Sequence, residues 1–181
     1  MRIFRFIVLF PLVYAASTFA DEGAAGDVAE PARPMHASAA LKATSGSQVA
    51  GTVSFTETTS GVQVVAEVSG LTPGKHGFHV HEKGDCSDPE GKSAGGHFNP
   101  GGTEHGAPDA DVHHAGDLGN LMAGEDGNAR LEAVFEGVSL SGDDGLIGRG
   151  LIVHADPDDL SSQPTGNAGA RVACAVIEAA P

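Results

Sequence analysis

Tryptophan is absent from the 181 residues, and tyrosine occurs once. Cations are scarce: ten Lys and Arg stand against 24 Asp and Glu, for a formal net charge of -14. No basic stripe is available to neutralise phosphates, so nucleic-acid binding is excluded as the function. A membrane span is missing too. The one apolar run, residues 6–16, is broken by Pro11 and falls short of the roughly 20 residues a bilayer-crossing helix needs. No stable membrane association is therefore expected. Glycine is plentiful, with 26 residues, yet it does not recur every third position, which rules out a collagen-like chain. What remains is 40% hydrophobic and only 19% charged. That composition, at this length, suits one domain with a real core rather than a disordered chain.

The first 20 residues combine a short basic start (Arg2, Arg5), the apolar run and the small-residue exit Ser17, Thr18, Phe19, Ala20. Those are the parts of a secretory signal peptide, so the mature chain is expected to begin after Ala20 and to be periplasmic or secreted. Losing Arg2 and Arg5 with no acid takes the formal charge two units lower, to -16. Residues 21–36 are Ala-, Gly-, Pro- and acid-rich without an apolar period, as in a flexible leader, and the folded domain is expected over 37–181. An exported chain meets an oxidising space, where the pair Cys86 and Cys174 is expected as a disulfide; two buried free thiols are the alternative.

Val49, Gly51, Val53 and Phe55 alternate with smaller or polar residues, as do Val62, Val64, Ala66 and Val68. Period two marks half-buried antiparallel strands. Similar runs occur at 39–44, 75–82, 117–122, 129–136, 150–155 and 171–178, separated by Gly-, Pro- and Asn-bearing turns. Eight short strands without a convincing helix predict an all-β sandwich or barrel. Two long stretches, 83–116 and 156–170, break the rhythm, and long irregular loops in a compact domain usually carry function.

The histidines supply the chemistry. Nine are present, seven of them within positions 76–114. His79 and His81, two apart on a predicted strand, project from one face and can share a metal. His97, His105 and His114 fall in the long loop, Asp117 follows His114 by three, and His154 ends an apolar run. Several imidazoles with one carboxylate suit Zn²⁺ or Cu²⁺, whereas Ca²⁺ or Mg²⁺ would want mostly oxygens. Their spacing leaves the number of metals open.

The segment Gly77-Phe78-His79-Val80-His81-Glu82-Lys83-Gly84-Asp85-Cys86 resembles the copper-site segment of Cu/Zn superoxide dismutase. Residues 166–177 resemble that family's closing segment, and Gly95-Gly96-His97-Phe98-Asn99-Pro100, the 114–120 stretch and Val153-His154 fall between them in order. The resemblance implies an eight-stranded antiparallel Greek-key β-sandwich or barrel and an enzyme that converts superoxide to oxygen and peroxide. It implies copper at His79, His81, His97 and His154, and zinc at His97, His105, His114 and Asp117, with His97 bridging. Asp158 would link ligands of the two metals, Arg171 would orient the anion, Thr165 would narrow the channel, and Cys86–Cys174 would tie the long loop to the last strand.

His76 is expected to be structural, while His36 and His113 carry no assigned role. Cys86 precedes His97 by eleven residues, as in exported bacterial members, and the 154–171 stretch lacks a Lys/Glu-rich steering segment, which leaves Lys83 or Lys92 as candidates. Ala173, Ala175 and Ile177, with Ile147 and Gly148, form an apolar face compatible with a homodimer. A non-enzymatic carrier of copper or zinc is the reading from another class; it would need neither Arg171 nor a complete set of four copper-type ligands. Zinc-dependent hydrolysis is disfavoured, because four protein ligands close the predicted zinc site.

Overall fold

The computed structural model describes residues 35–181, so the expected signal peptide and nearly all of the expected leader lie outside the described residues. Nine strands follow: β1 (His36–Ala43), β2 (Ala50–Thr58), β3 (Gly61–Ser69), β4 (Gly74–His81), β5 (Asp117–Ala123), β6 (Ala129–Glu136), β7 (Gly150–His154), β8 (Arg171–Val176) and β9 (Glu178–Ala180). The only helix among the described residues is a single 3-10 turn, Lys92–Ala94.

All strand pairs are antiparallel, in the order β2-β3-β6-β5-β4-β7-β8-β1-β9, and β1 also pairs β2, which closes the sheet into a barrel. The predicted eighth strand is broken. β8 and the short β9 lie end to end along β1, while Ile177 between them exchanges backbone bonds with Gly148 and Arg149 instead. The barrel thus keeps eight staves. β1 starts at His36, because His36–Ser38 extend the alternation far enough to pair with β9.

Alternation puts Ala37, Ala39, Leu41, Val53, Phe55, Val62, Val64, Ala66 and Val68 inside. Phe55, Phe78, Phe98 and Phe135, the four aromatics outside the first 20 residues, are all buried. The same alternation overturns one expectation: Ala173, Ala175 and Ile177 face the barrel core rather than an outer apolar face, and Ile147 packs against that core. Two long connections cross the barrel, residues 82–116 between β4 and β5 and 155–170 between β7 and β8. The disulfide Cys86–Cys174 joins the first of them to β8, with Cα atoms 5.9 Å apart. A small separate cluster of Ala94, Ile152 and Cys174 fills the space beneath it.

Candidate metal centre

Strand register brings the site together. His79 lies opposite Asp117 across β4–β5, an isolated bridge sets His81 opposite His97, and His154 pairs Arg171 across β7–β8. Ladder irregularities fall beside His79 and His154. Such bulges re-aim side chains next to functional sites. Gly77 keeps the floor open, since a Cβ there would come 2.7 Å from Ala168 Cβ and 3.0 Å from His79 Cε1.

Two clusters result, sharing His97: four imidazoles from His79, His81, His97 and His154, and a mixed set of His97, His105, His114 and Asp117. Every one of these side chains is buried. In the first cluster each imidazole has one nitrogen committed outward. His79 Nε2 donates to Asp158 Oδ2 at 2.8 Å, His81 Nδ1 to Gly95 O at 2.9 Å and His154 Nδ1 to Gly169 O at 3.2 Å. A carboxylate or carbonyl can only accept, so these partners fix the tautomer and leave a lone pair on the other nitrogen. Those other nitrogens, His79 Nδ1, His81 Nε2 and His154 Nε2, are buried and have no hydrogen-bond partner among the described residues, and neither has His97 Nε2. Four converging, buried lone pairs are costly unless a cation meets them.

In the mixed cluster, His97 Nδ1, His105 Nδ1 and His114 Nδ1 lie 2.8, 3.0 and 3.3 Å from the single oxygen Asp117 Oδ1. The His105 contact has no hydrogen-bond geometry, and His114 Nδ1 stands 3.4 Å from His97 Nδ1. A tetrahedron of bonds near 2.0 Å has edges of about 3.3 Å, so this crowding fits one small cation with four ligands. Asp117 Oδ2 accepts from the His114 and Gly106 N–H groups. Asp158 joins the clusters: Oδ2 takes His79 Nε2, and Oδ1 takes His105 Nε2 at 3.0 Å and the Leu160 N–H at 2.7 Å.

Burial dominates the titration. It pushes His79 down to about 4, against the hydrogen bond to Asp158, and His81 well below its ordinary range. His154 is pushed down to about 3 by burial and then by the neighbouring His79. Burial would raise the carboxyl of Asp117, but hydrogen bonds from His97 and the N–H groups of His114 and Gly106 outweigh it and hold Asp117 well below the carboxylate range. His79, His81 and His154 are therefore neutral imidazoles and Asp117 is a carboxylate near neutral pH, the forms that bind transition metals.

Arg171 is half-buried and donates to Gly91 O and Gly95 O, both at 2.5 Å. Gly95 O thus serves Arg171 and His81 together. Thr165 is half-buried beside Gly166, where a Cβ would collide with Asp158 Oδ1 and come 2.7 Å from His105 Nε2. The other residues singled out lie outside both clusters. His76 sits between His154 O and Thr72 O, 2.8 Å from each, and so ties the β3–β4 turn to β7. His113 turns Nδ1 to His114 O, outside both clusters, and exposed His36 meets Thr56 Oγ1. Lys83 and Lys92 are exposed. Asn120 escaped the sequence reading: its amide donates to Asp158 O and accepts the Asp158 N–H, steadying the linking carboxylate. An isolated Asn after a Gly carries no pattern that would have revealed this.

The chain matches a solved structure, the crystal structure of the clock protein EA4, at a TM-score of 0.73 and 43% identity, covering 80% of this chain and 94% of that one. Residues 49–177 match the family model described as copper/zinc superoxide dismutase (SODC). The chain belongs to the copper/zinc superoxide dismutase family, oxidoreductases that use copper and zinc.

Proposed function

We propose that the four-imidazole cluster holds copper, that the mixed cluster holds zinc, and that the protein dismutes superoxide after export from the cytoplasm. The carrying observation is His97, which turns Nδ1 toward Asp117 and an unsatisfied Nε2 toward His79, His81 and His154. When bound, copper supplies a one-electron couple that zinc lacks. The remaining work belongs to the chain. His97 takes up a proton at Nε2 and hands it to the departing product. Arg171, set beside His154 in the ladder, orients the incoming anion. Asp158 fixes the ring planes and tautomers of His79 and His105, the role of an outer carboxylate. Asp117 brings the single negative charge to the mixed cluster, which suits a cation that stays put rather than one that cycles. Thr165 narrows the approach to the site.

Export is supported by the character of residues 1–20 and by the disulfide, which persists in oxidising compartments. Antioxidant protection outside the cytoplasm follows from that placement.

Stopped-flow decay of superoxide tests the reading, with the copper- and zinc-loaded protein beside a His154→Ala variant. Rapid decay that the variant loses is the expected result. Decay at the background rate by protein carrying both metals would instead make the chain a metal carrier.

A further inference from the structure

Phe98 follows the shared His97, and its backbone is one corner of a closed ring of three hydrogen bonds. Val80 N–H donates to Gly116 O at 2.9 Å, Gly116 N–H to Phe98 O at 2.9 Å, and Phe98 N–H to Val80 O at 2.8 Å. In the chain Val80 adjoins His79 and His81, Phe98 adjoins His97, and Gly116 adjoins Asp117. The ring is tight, since a Cβ on Gly116 would come 2.3 Å from Val80 O. A force on Phe98 is therefore passed to donors of both clusters, and first of all to His97.

The buried Phe98 ring faces Arg149, whose Cζ lies 4.2 Å from its centroid. A guanidinium within about 6 Å of an aromatic face is held there by the ring quadrupole, and more firmly when it is partly desolvated. Arg149 is half-buried. Each of its three nitrogens also donates to a backbone carbonyl: Nε to Gly145 O at 3.3 Å, Nη1 to Glu82 O at 3.1 Å and Nη2 to Asp143 O at 3.0 Å. Glu82 follows His81, and Asp143 and Gly145 belong to the connection between β6 and β7. The planar fork thus fixes the guanidinium from two directions, and Phe98 packs against a plane that cannot turn. A lysine could place a charge there but not a flat fork. We infer that Arg149 is a positioning residue for the shared imidazole: by pinning Phe98, it fixes where His97 stands between the two clusters. The inference rests on the two-metal reading proposed above.

The test uses the copper- and zinc-loaded protein as wild type, Arg149→Met, Arg149→Lys, Phe98→Leu and the double variant R149M/F98L. Val64→Ala on β3 is the control, a core truncation away from both clusters. Copper and zinc affinities by chelator competition and the EPR spectrum of bound Cu²⁺ are measured beside the denaturation midpoint. Loss of a direct outer partner of a ligand typically costs 10- to 100-fold in affinity, and Arg149 stands one step further out, so R149M should weaken both metals roughly three- to tenfold. The copper spectrum should shift with it, because one ring serves both clusters. R149K should lie between R149M and wild type, and it carries the comparison if R149M does not fold. In the F98L background R149M should add little, since the two residues act through one contact. V64A should lower the midpoint and leave the affinities and the spectrum alone. An Arg149 variant that lost only stability, as V64A does, or weakened one metal alone, or a full R149M effect in the F98L background, would overturn the inference. A wild type that held a single metal would remove the two-metal reading alone, because the R149M and F98L pair still tests the contact through the affinity for that metal.

Discussion

The two clusters share a histidine but are built differently. His79, His81 and His154 stand on β4 and β7, whose backbones are locked into ladders on both sides. His97, His105 and His114 come from the 82–116 connection, and only Asp117 stands on a strand. The strand-borne cluster is all imidazole; the loop-borne one contains a carboxylate. The first is therefore placed by the barrel, while the second needs its own supports: the disulfide, Asp158 and Gln163, which binds both the N–H and the carbonyl of His105. Rigid scaffolds carrying loops with functional side chains are the general pattern.

The largest effect is expected where the clusters meet. His97→Ala removes a donor from each, so the purified protein should bind both copper and zinc poorly and its superoxide decay should fall to background. His81→Ala and His114→Ala should each impair one metal. Metal content by elemental analysis distinguishes them, and loss of only one metal from His97→Ala would show that the clusters do not share that ring.

Acid should act on the strand-borne histidines in the metal-free protein. Burial lowers His79 to about 4 and His154 to about 3, against 6.5 for the unperturbed group. Above pH 6.5 these histidines are neutral in both folded and unfolded chains and cost nothing. As pH falls below that value the unfolded chain takes up protons that the fold refuses, so stability drops, by about 1.4 kcal/mol per group per pH unit. The loss continues until the folded values near 4 and 3 are reached. Denaturant midpoints between pH 7 and pH 4 should show it in the metal-free wild type and less of it in His154→Ala; equal slopes would place the acid sensitivity elsewhere.

Cys86→Ser should act on the loop side. The disulfide closes 88 residues of chain, and chain entropy assigns such a loop about 4–5 kcal/mol, in a model-dependent way. A fall in denaturation midpoint of corresponding size is expected, with zinc more easily stripped than copper because the released segment leads into His97, His105 and His114. Unchanged stability would mean that the Ala94, Ile152 and Cys174 cluster holds the segment without the bond.

The same division explains what the sequence made legible. Period-two alternation exposed the strands, and with them the shared face of His79 and His81, because that signal is local. Residue type and spacing already marked the loop histidines and Asp117 as candidate ligands, but only the family resemblance divided them between two metals and added Asp158, which periodicity could not have grouped: His97 and Asp117 are 20 apart, and His79 and Asp158 are 79 apart. Tertiary accommodation stayed out of reach. The break at Ile177 depends on bonds to Gly148 and Arg149, the inward direction of Ala173, Ala175 and Ile177 depends on barrel closure, and the grip of Asn120 on Asp158 depends on two connections meeting.

The finest test of the comparison is Asp158→Asn. The amide keeps one acceptor oxygen where the carboxylate offered two, so His79 Nε2 and His105 Nε2 can no longer both donate to it as they do now. Whichever ring faces the NH₂ group is pushed toward the other tautomer, which puts a proton where a metal would sit. His79 resists displacement, because its backbone is paired to Ile152 on one side and Asp117 on the other. His105 has no strand partner and only Gln163 besides, so the loop-borne cluster should lose more. Removal of such an outer partner typically lowers metal affinity about 10- to 100-fold. That loss is expected for zinc, with a smaller one for copper, in chelator competition on the loaded protein. Gly166→Ala should weaken zinc in the same direction, since its Cβ would press on the Asp158 oxygen that serves His105, at a backbone φ of 65° that already disfavours alanine. If copper left first in both variants, strand placement would not be what protects the four-imidazole cluster, and Asp158 would be holding that side of the centre instead.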